Sequence, residues 1–186
     1  MIYGIKIRQN GKCGNNIYYM LIKESVWIKD AINTLDLESG IKILNFGSQD
    51  SAYLKNQIYI KENVLNTCYE KGFEIINLDM KKSKTINIVG DISSNQIQKK
   101  LIKYNFNVVF LSNVLEHVDD IKLICDSIDK ILSKGAYIIF TGPYNYPKHL
   151  DPIDNMFRPK PKDLLDFFSN YSIVKSDIIK DYTYRY

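Results

Sequence analysis

Asn107-Val108-Val109-Phe110-Leu111, the centre of the segment Phe106–Ser112, is the most apolar strand-like run in the chain. A strand with one wet face alternates apolar and polar residues, whereas a continuous run of this kind suits a strand covered on both faces. Outward from it, short β-rich runs alternate with longer helical patterns. Upstream, Ile41–Phe46 reads as a strand ending at Gly47, Phe73–Leu78 as a second and Ile86–Val89 as a short third. Between the first two, Val64, Leu65 and Cys68 share a helical face, and Gly72 stands where a C-terminal cap belongs. Asn95 is placed to cap a helix through Tyr104. Downstream, Ile121, Ile124, Ile128 and Ile131 stripe a helix over Asp119–Lys134, capped by Asp119 or Asp120 and stopped by Gly135. Tyr137–Thr141 is a fifth strand, Pro161–Phe168 a helix with proline in its first turn, and Tyr171–Ile179 a sixth strand. Val26, Ile28, Ala31, Ile32 and Leu35 mark a leading helix, and residues 1–24 read as an N-terminal extension or a hairpin around Asn10–Asn16.

Strands separated by helices demand crossover connections. The fold class expected is therefore α/β, a Rossmann-like, mostly parallel sheet with helices on both faces, in a single domain spanning 1–186. Such sheets bind ligands beyond the carboxyl ends of their strands, near the point where strand order reverses. The segments to search are then 47–51, 79–80, 90–92, 112–117 and 141–159.

At 186 residues, with 45% hydrophobic and 25% charged residues, the chain can bury a full core without disulfide or metal staples. Three cysteines, Cys13, Cys68 and Cys125, form no CxxC spacing and indicate neither a disulfide framework nor a zinc knuckle. A net charge of +4 is mild, and the 14 tyrosines do not interleave with basic residues, so nucleic acid is not an expected partner. No apolar run approaches a membrane span, and the N-terminus lacks a signal-peptide pattern. A cytoplasmic protein without membrane association is expected.

The candidate residues follow the strands. Gly47 permits a sharp turn with bare main chain, but GxGxxG is missing and Asp79 stands 32 residues after Gly47, so a pyrophosphate cradle is poorly supported. Asp79 at a strand tip can accept the two hydroxyls of a ribose, or serve as a turn aspartate. Asp91 can accept from an adenine amino group, or complete the common Gly-Asp turn with Gly90. Ser112 and Asn113 sit at the expected switch point. His117 one turn later is either a general base or a packed histidine, and Glu116 has the same two readings. From Thr141 to Pro161 five prolines leave few ways to build a helix or strand, so this stretch reads as a long lid or binding loop. It carries His149, Asp151, Asp154 and Arg158. The His-x-Asp-x-x-Asp spacing is not assigned to a metal, and the plainer reading is capping aspartates with an arginine paired to one of them.

As an ordered set, ILNFGSQDS, INLD, IVGDI, FNVVFLSNVLEHVDD, ILSKGAYIIFTGP and HLDPIDNMFRPKPKDL resemble the class I S-adenosylmethionine-dependent methyltransferases, over about residues 25 to 180. The likeness is to the small single-domain branch associated with surface-glycan pathways. It implies S-adenosylmethionine bound across the strand tips by Gly47, Ser48, Asp79, Asp91, Ser112 and Asn113. It implies a small-molecule acceptor, a sugar or glycan intermediate, met by Tyr144 and Arg158, with His149 as first and His117 as second choice of base. The chain departs from the family at Asn45, usually an aspartate, and at Gln49 and Ser51, usually a glycine-rich turn. These departures motivate the alternative of a non-catalytic binding or partner subunit on the same fold. Too little chain follows the sixth strand for the family's closing antiparallel strand, which predicts an open sheet edge that a homodimer could cover.

Overall fold

The computed structural model describes residues 1–9, 20–48, 51–148 and 153–181. Seven strands form one sheet: β1 (Ile2–Gln9), β2 (Lys42–Phe46), β3 (Glu74–Asp79), β4 (Ile88–Val89), β5 (Phe106–Ser112), β6 (Leu132–Asn145) and β7 (Ile173–Asp181). Their order is β4-β3-β2-β5-β6-β1-β7, and each neighbouring pair runs parallel. The helices are α1 (Ile22–Thr34), α2 (Ser51–Asn56), α3 (Ile58–Ile60), α4 (Asn66–Glu70), α5 (Asn95–Leu101) and α6 (Ile121–Asp129), with a π-helical segment Lys61–Leu65 joining α3 to α4.

The continuous apolar character of β5 has its counterpart in two cores. Phe106, Val109 and Leu111 enter one hydrophobic cluster with Ile97 and Leu101 of α5 and Ile124 and Ile128 of α6. Val108 and Phe110 enter the other, with Ile28 and Ile32 of α1 and Cys68 of α4. β6 divides in the same way, Ile138 and Phe140 to one side, Tyr137 and Ile139 to the other. Period-two alternation of side chains forces this division, and each face therefore carries helices.

Local chemistry sets the helix ends. Ser94, one residue before the expected Asn95, caps α5 by accepting from the Ile97 N–H, and Asp120 caps α6 by accepting from the Leu123 N–H at 2.9 Å. α6 ends at Asp129 rather than continuing to Lys134, because Leu132 already pairs with Phe106 in the sheet. β6 then runs on to Asn145, so Pro143 lies in a strand where its neighbours had suggested a loop. The β5–β6 ladder has ended at Ser112 and Thr141, which makes β6 an edge on that side. An edge is where proline's missing N–H is tolerated.

The N-terminal residues depart most from expectation. Ile2–Gln9 are an interior strand between β6 and β7, parallel to both. The turn of the anticipated hairpin, Asn10–Asn16, lies outside the described residues. Ile2 is fully buried, its N–H donating to the Ser172 carbonyl at 2.8 Å. Among the described residues the sheet ends at the parallel strand β7, and β1 joins β6 to it. The outer edge on β7 carries Lys175, Asp177 and Lys180, charges that discourage strand addition. Ile2→Ala is expected to lower unfolding free energy by about 2–5 kcal/mol in urea melts, the cost of a core cavity; a residue in a peripheral extension would cost nearly nothing.

Candidate functional site at the carboxyl ends of β2, β5 and β6

Strand order reverses between β2 and β5: β3 and β4 continue to one side of β2, and β6 to the other side of β5. Gly47 and Ser48 leave β2, and Ser112 and Asn113 close β5, so these four expected residues come together at the switch point. Gly47 has φ +71°, and a Cβ there would stand 2.7 Å from Cγ2 of Val114. The glycine is needed for that close approach. Among the described residues the buried Ser48 hydroxyl has no hydrogen-bond partner, a costly arrangement for a polar atom. Asn113 adopts φ +53°, which asparagine tolerates, and its N–H donates to the Thr141 carbonyl at 2.9 Å.

Asp79 and Asp91 occupy adjacent tips, linked by the Gly90 N–H donating to the Asp79 carbonyl at 3.0 Å. Both carboxylates also serve their own turns. Asp79 Oδ1 accepts from the Lys81 N–H at 2.9 Å, and Asp91 Oδ1 accepts from the N–H and hydroxyl of Ser93, each at 2.8 Å. Asn45 donates its amide sideways to Asn77 Oδ1 at 2.9 Å, and Asn77 passes its own amide to the Thr85 carbonyl. Of the other family departures, Gln49 lies outside the described residues and Ser51 opens α2.

A residue that the sequence reading did not single out stands at the centre. Glu24, in the first turn of α1, is fully buried. Its Oε2 accepts from the Leu21 N–H at 3.0 Å and its Oε1 from the Asn113 amide at 2.8 Å. The Thr141 hydroxyl stands beside it and steadies its charged form, though short of hydrogen-bond geometry. Burial outweighs these donors and lifts the Glu24 pKa to about 7. Glu116, in the 3-10 turn Leu115–His117, is 2% exposed. Burial lifts its pKa to about 8; Arg158 opposes the rise, while the Glu24 and Asp154 charges add to it.

The segment 153–158 clasps this turn. Asn155 donates its side-chain amide to the Leu115 and Val118 carbonyls at 2.8 and 2.7 Å, and its N–H to the Glu116 carbonyl at 2.9 Å. His117 Nδ1 lies 2.6 Å from the Ile153 carbonyl. A carbonyl only accepts, so Nδ1 carries the proton; Nε2 is then the basic nitrogen, 3.9 Å from Glu116 Oε1. Arg158 grips Asp154 with both guanidinium arms, at 3.1 and 2.7 Å, in a nearly dry pair. The pairing read from the sequence thus occupies much of the donor fork considered for substrate. Tyr144 lies elsewhere, on a groove beside Lys160 and Ser176. His149 lies outside the described residues.

Cys68 and Cys125 are buried free thiols on opposite faces of the sheet, their pKa values pushed up to about 12 by burial. Among the described residues, no group of three or more His, Cys, Asp or Glu gathers to hold a metal ion, and no helix is long and apolar enough to cross a membrane. Comparison of the sequence with protein-family models finds no match, and neither does comparison with curated proteins.

Two predictions follow from the buried charges. Glu24 and Glu116 hold protons in the folded state that they release near pH 4.5 when unfolded. The native state therefore binds more protons over that interval, and stability falls as pH rises from about 4.5 to 8, by about 1.4 kcal/mol for each unit a pKa is raised. Glu116→Gln should flatten that decline in urea melts taken at pH 5, 6.5 and 8. Arg158→Ala removes the guanidinium from the buried Asp154 carboxylate, which keeps the Met156 N–H at 2.8 Å, and should cost about 3–5 kcal/mol, whereas replacing both partners with apolar residues of similar volume should restore most of the loss.

Proposed function

We propose that this chain is a Rossmann-like, S-adenosylmethionine-dependent methyltransferase acting on a small-molecule acceptor, a sugar or glycan intermediate. The observation that carries the reading is the switch point: Gly47–Ser48 and Ser112–Asn113 meet where strand order reverses, with Asp79 and Asp91 on the next two tips. A nucleoside laid across those tips would meet one acidic side chain for its ribose and one for its adenine amino group, and the orphaned Ser48 hydroxyl supplies a further polar contact. The cofactor, when bound, supplies a methyl group on a sulfonium. The residues' own tasks are to align the acceptor and to exclude water. For a hydroxyl acceptor, Nε2 of His117 takes the proton, the ring's tautomer and orientation set by the Nδ1–H bond to Ile153; His149 is the other candidate base. We place the protein in the cytoplasm, with a homodimer as its candidate assembly.

A second reading is favoured by Val114. Its methyl fills the space against Gly47, and the turns of Asp79 and Asp91 use oxygens that a nucleoside would need. Such a chain would be a non-catalytic binding or partner subunit on the same fold. Calorimetric titration with S-adenosylhomocysteine separates the two. The enzymatic reading expects micromolar binding, weakened at least tenfold in Asp79→Asn, which keeps the turn acceptor and removes the charge. No heat at millimolar ligand, with the protein folded by circular dichroism, leaves the binding-subunit reading.

A further inference from the structure

We propose that a groove beside the β7 edge binds a small amphiphilic anion: an apolar body carrying a carboxylate or phosphate head. The groove has a volume of about 520 Å³, within the range of small-molecule sites. The 3-10 turn Pro161–Asp166 forms one wall and β7 the other, with Tyr144 at the end of β6. That turn packs over Gly4 of β1, where a Cβ would stand at an ordinary contact distance of 3.8 Å from Pro161 and Leu164. Pro161, Ile173 and Ile178 give the groove an apolar lining, and Ile178 is 46% exposed for lack of anything over it among the described residues.

The charge is one-sided. Lys160 and Lys162 both line the groove, and no described carboxylate pairs with either ammonium. The acid that follows them in the 3-10 turn, Asp163, accepts with Oδ2 from the Lys160 backbone N–H at 2.5 Å. Asp177 on β7 is engaged by Trp27 Nε1 at 2.7 Å and lies 3.9 Å from the Lys175 ammonium. Two cations at the rim of an apolar trough, with Asp163 held by a backbone N–H and Asp177 by the Trp27 indole, complement a ligand whose head is anionic and whose body is not. A neutral chain would leave both ammonium groups unanswered, and a cationic one would be repelled. This groove is built from β1, β6 and β7, so the inference stands apart from nucleotide binding at the β2–β5 switch point.

The test is calorimetric titration of the full chain with octanoate, octyl phosphate and 1-octanol. Saturable one-to-one binding of either anion, at least tenfold tighter than the alcohol, is expected, the tighter anion identifying the head group. Lys160→Gln/Lys162→Gln should weaken the anion at least tenfold without shifting the melting temperature, since both side chains are exposed. Ile178→Glu should abolish binding. Equal affinity for the alcohol, retained affinity in the double lysine variant, or no saturable binding of any of the three overturns the proposal.

Discussion

A strand whose successive residues are all apolar can be buried only if both faces of its sheet are roofed, and β5 imposes that constraint on the whole molecule. Val108 and Phe110 need α1 and α4 above them; Val109 and Leu111 need α5 and α6 below. Parallel neighbours follow, because helices that roof a sheet must lie in the connections between its strands. The carboxyl ends of those strands then share one rim, and loops with quite different sequences are delivered to the same place. The candidate site is a consequence of how the core is covered.

At that rim the molecule accepts an electrostatic cost. Glu116 is buried within influence of Glu24 and Asp154, with the Arg158 guanidinium opposing their charges. Asp154 is charge-paired; the two glutamates are accommodated mainly by holding protons. Groups poised to gain or lose a proton near neutrality, gathered at the end of a parallel sheet, are a common mark of a functional centre. Their polar ties also join parts of the chain that share little apolar contact: α1 to the tip of β5 through Asn113, and the 153–158 segment to the turn after β5 through Asn155. At Glu24 the bonds that hold the rim's shape oppose, without overcoming, the effect of burial on its proton affinity.

The family resemblance and the physical reading meet at the switch point and diverge in detail. Gly47, Ser48, Ser112 and Asn113 are neighbours there, as an ordered set of strand ends would require. Val114 packed on Gly47 and the serine-anchored turn of Asp91 show that each residue also has a structural task. Tyr144 and Arg158, grouped as substrate contacts by sequence, belong to different surroundings, one on the β7 groove and one locked to Asp154.

Local pattern was sufficient wherever the cause of structure is local. Apolar runs and helical stripes located β2 through β7 and the principal helices, Asp120 was legible as a cap, and the pairing of Arg158 with an aspartate four residues away lay within reach of spacing alone. The parallel place of β1 was not legible, because its partners Ile138 and Ile173 lie far along the chain and nothing in eight residues names them. Nor was Glu24: in a helix bearing an apolar stripe, a glutamate reads as a solvent-facing residue, and only the arrival of Asn113, 89 residues away, encloses it. Periodicity reports which face of an element is apolar. Which distant groups close over that face, and which charge they trap there, is settled by the packing of the assembled sheet.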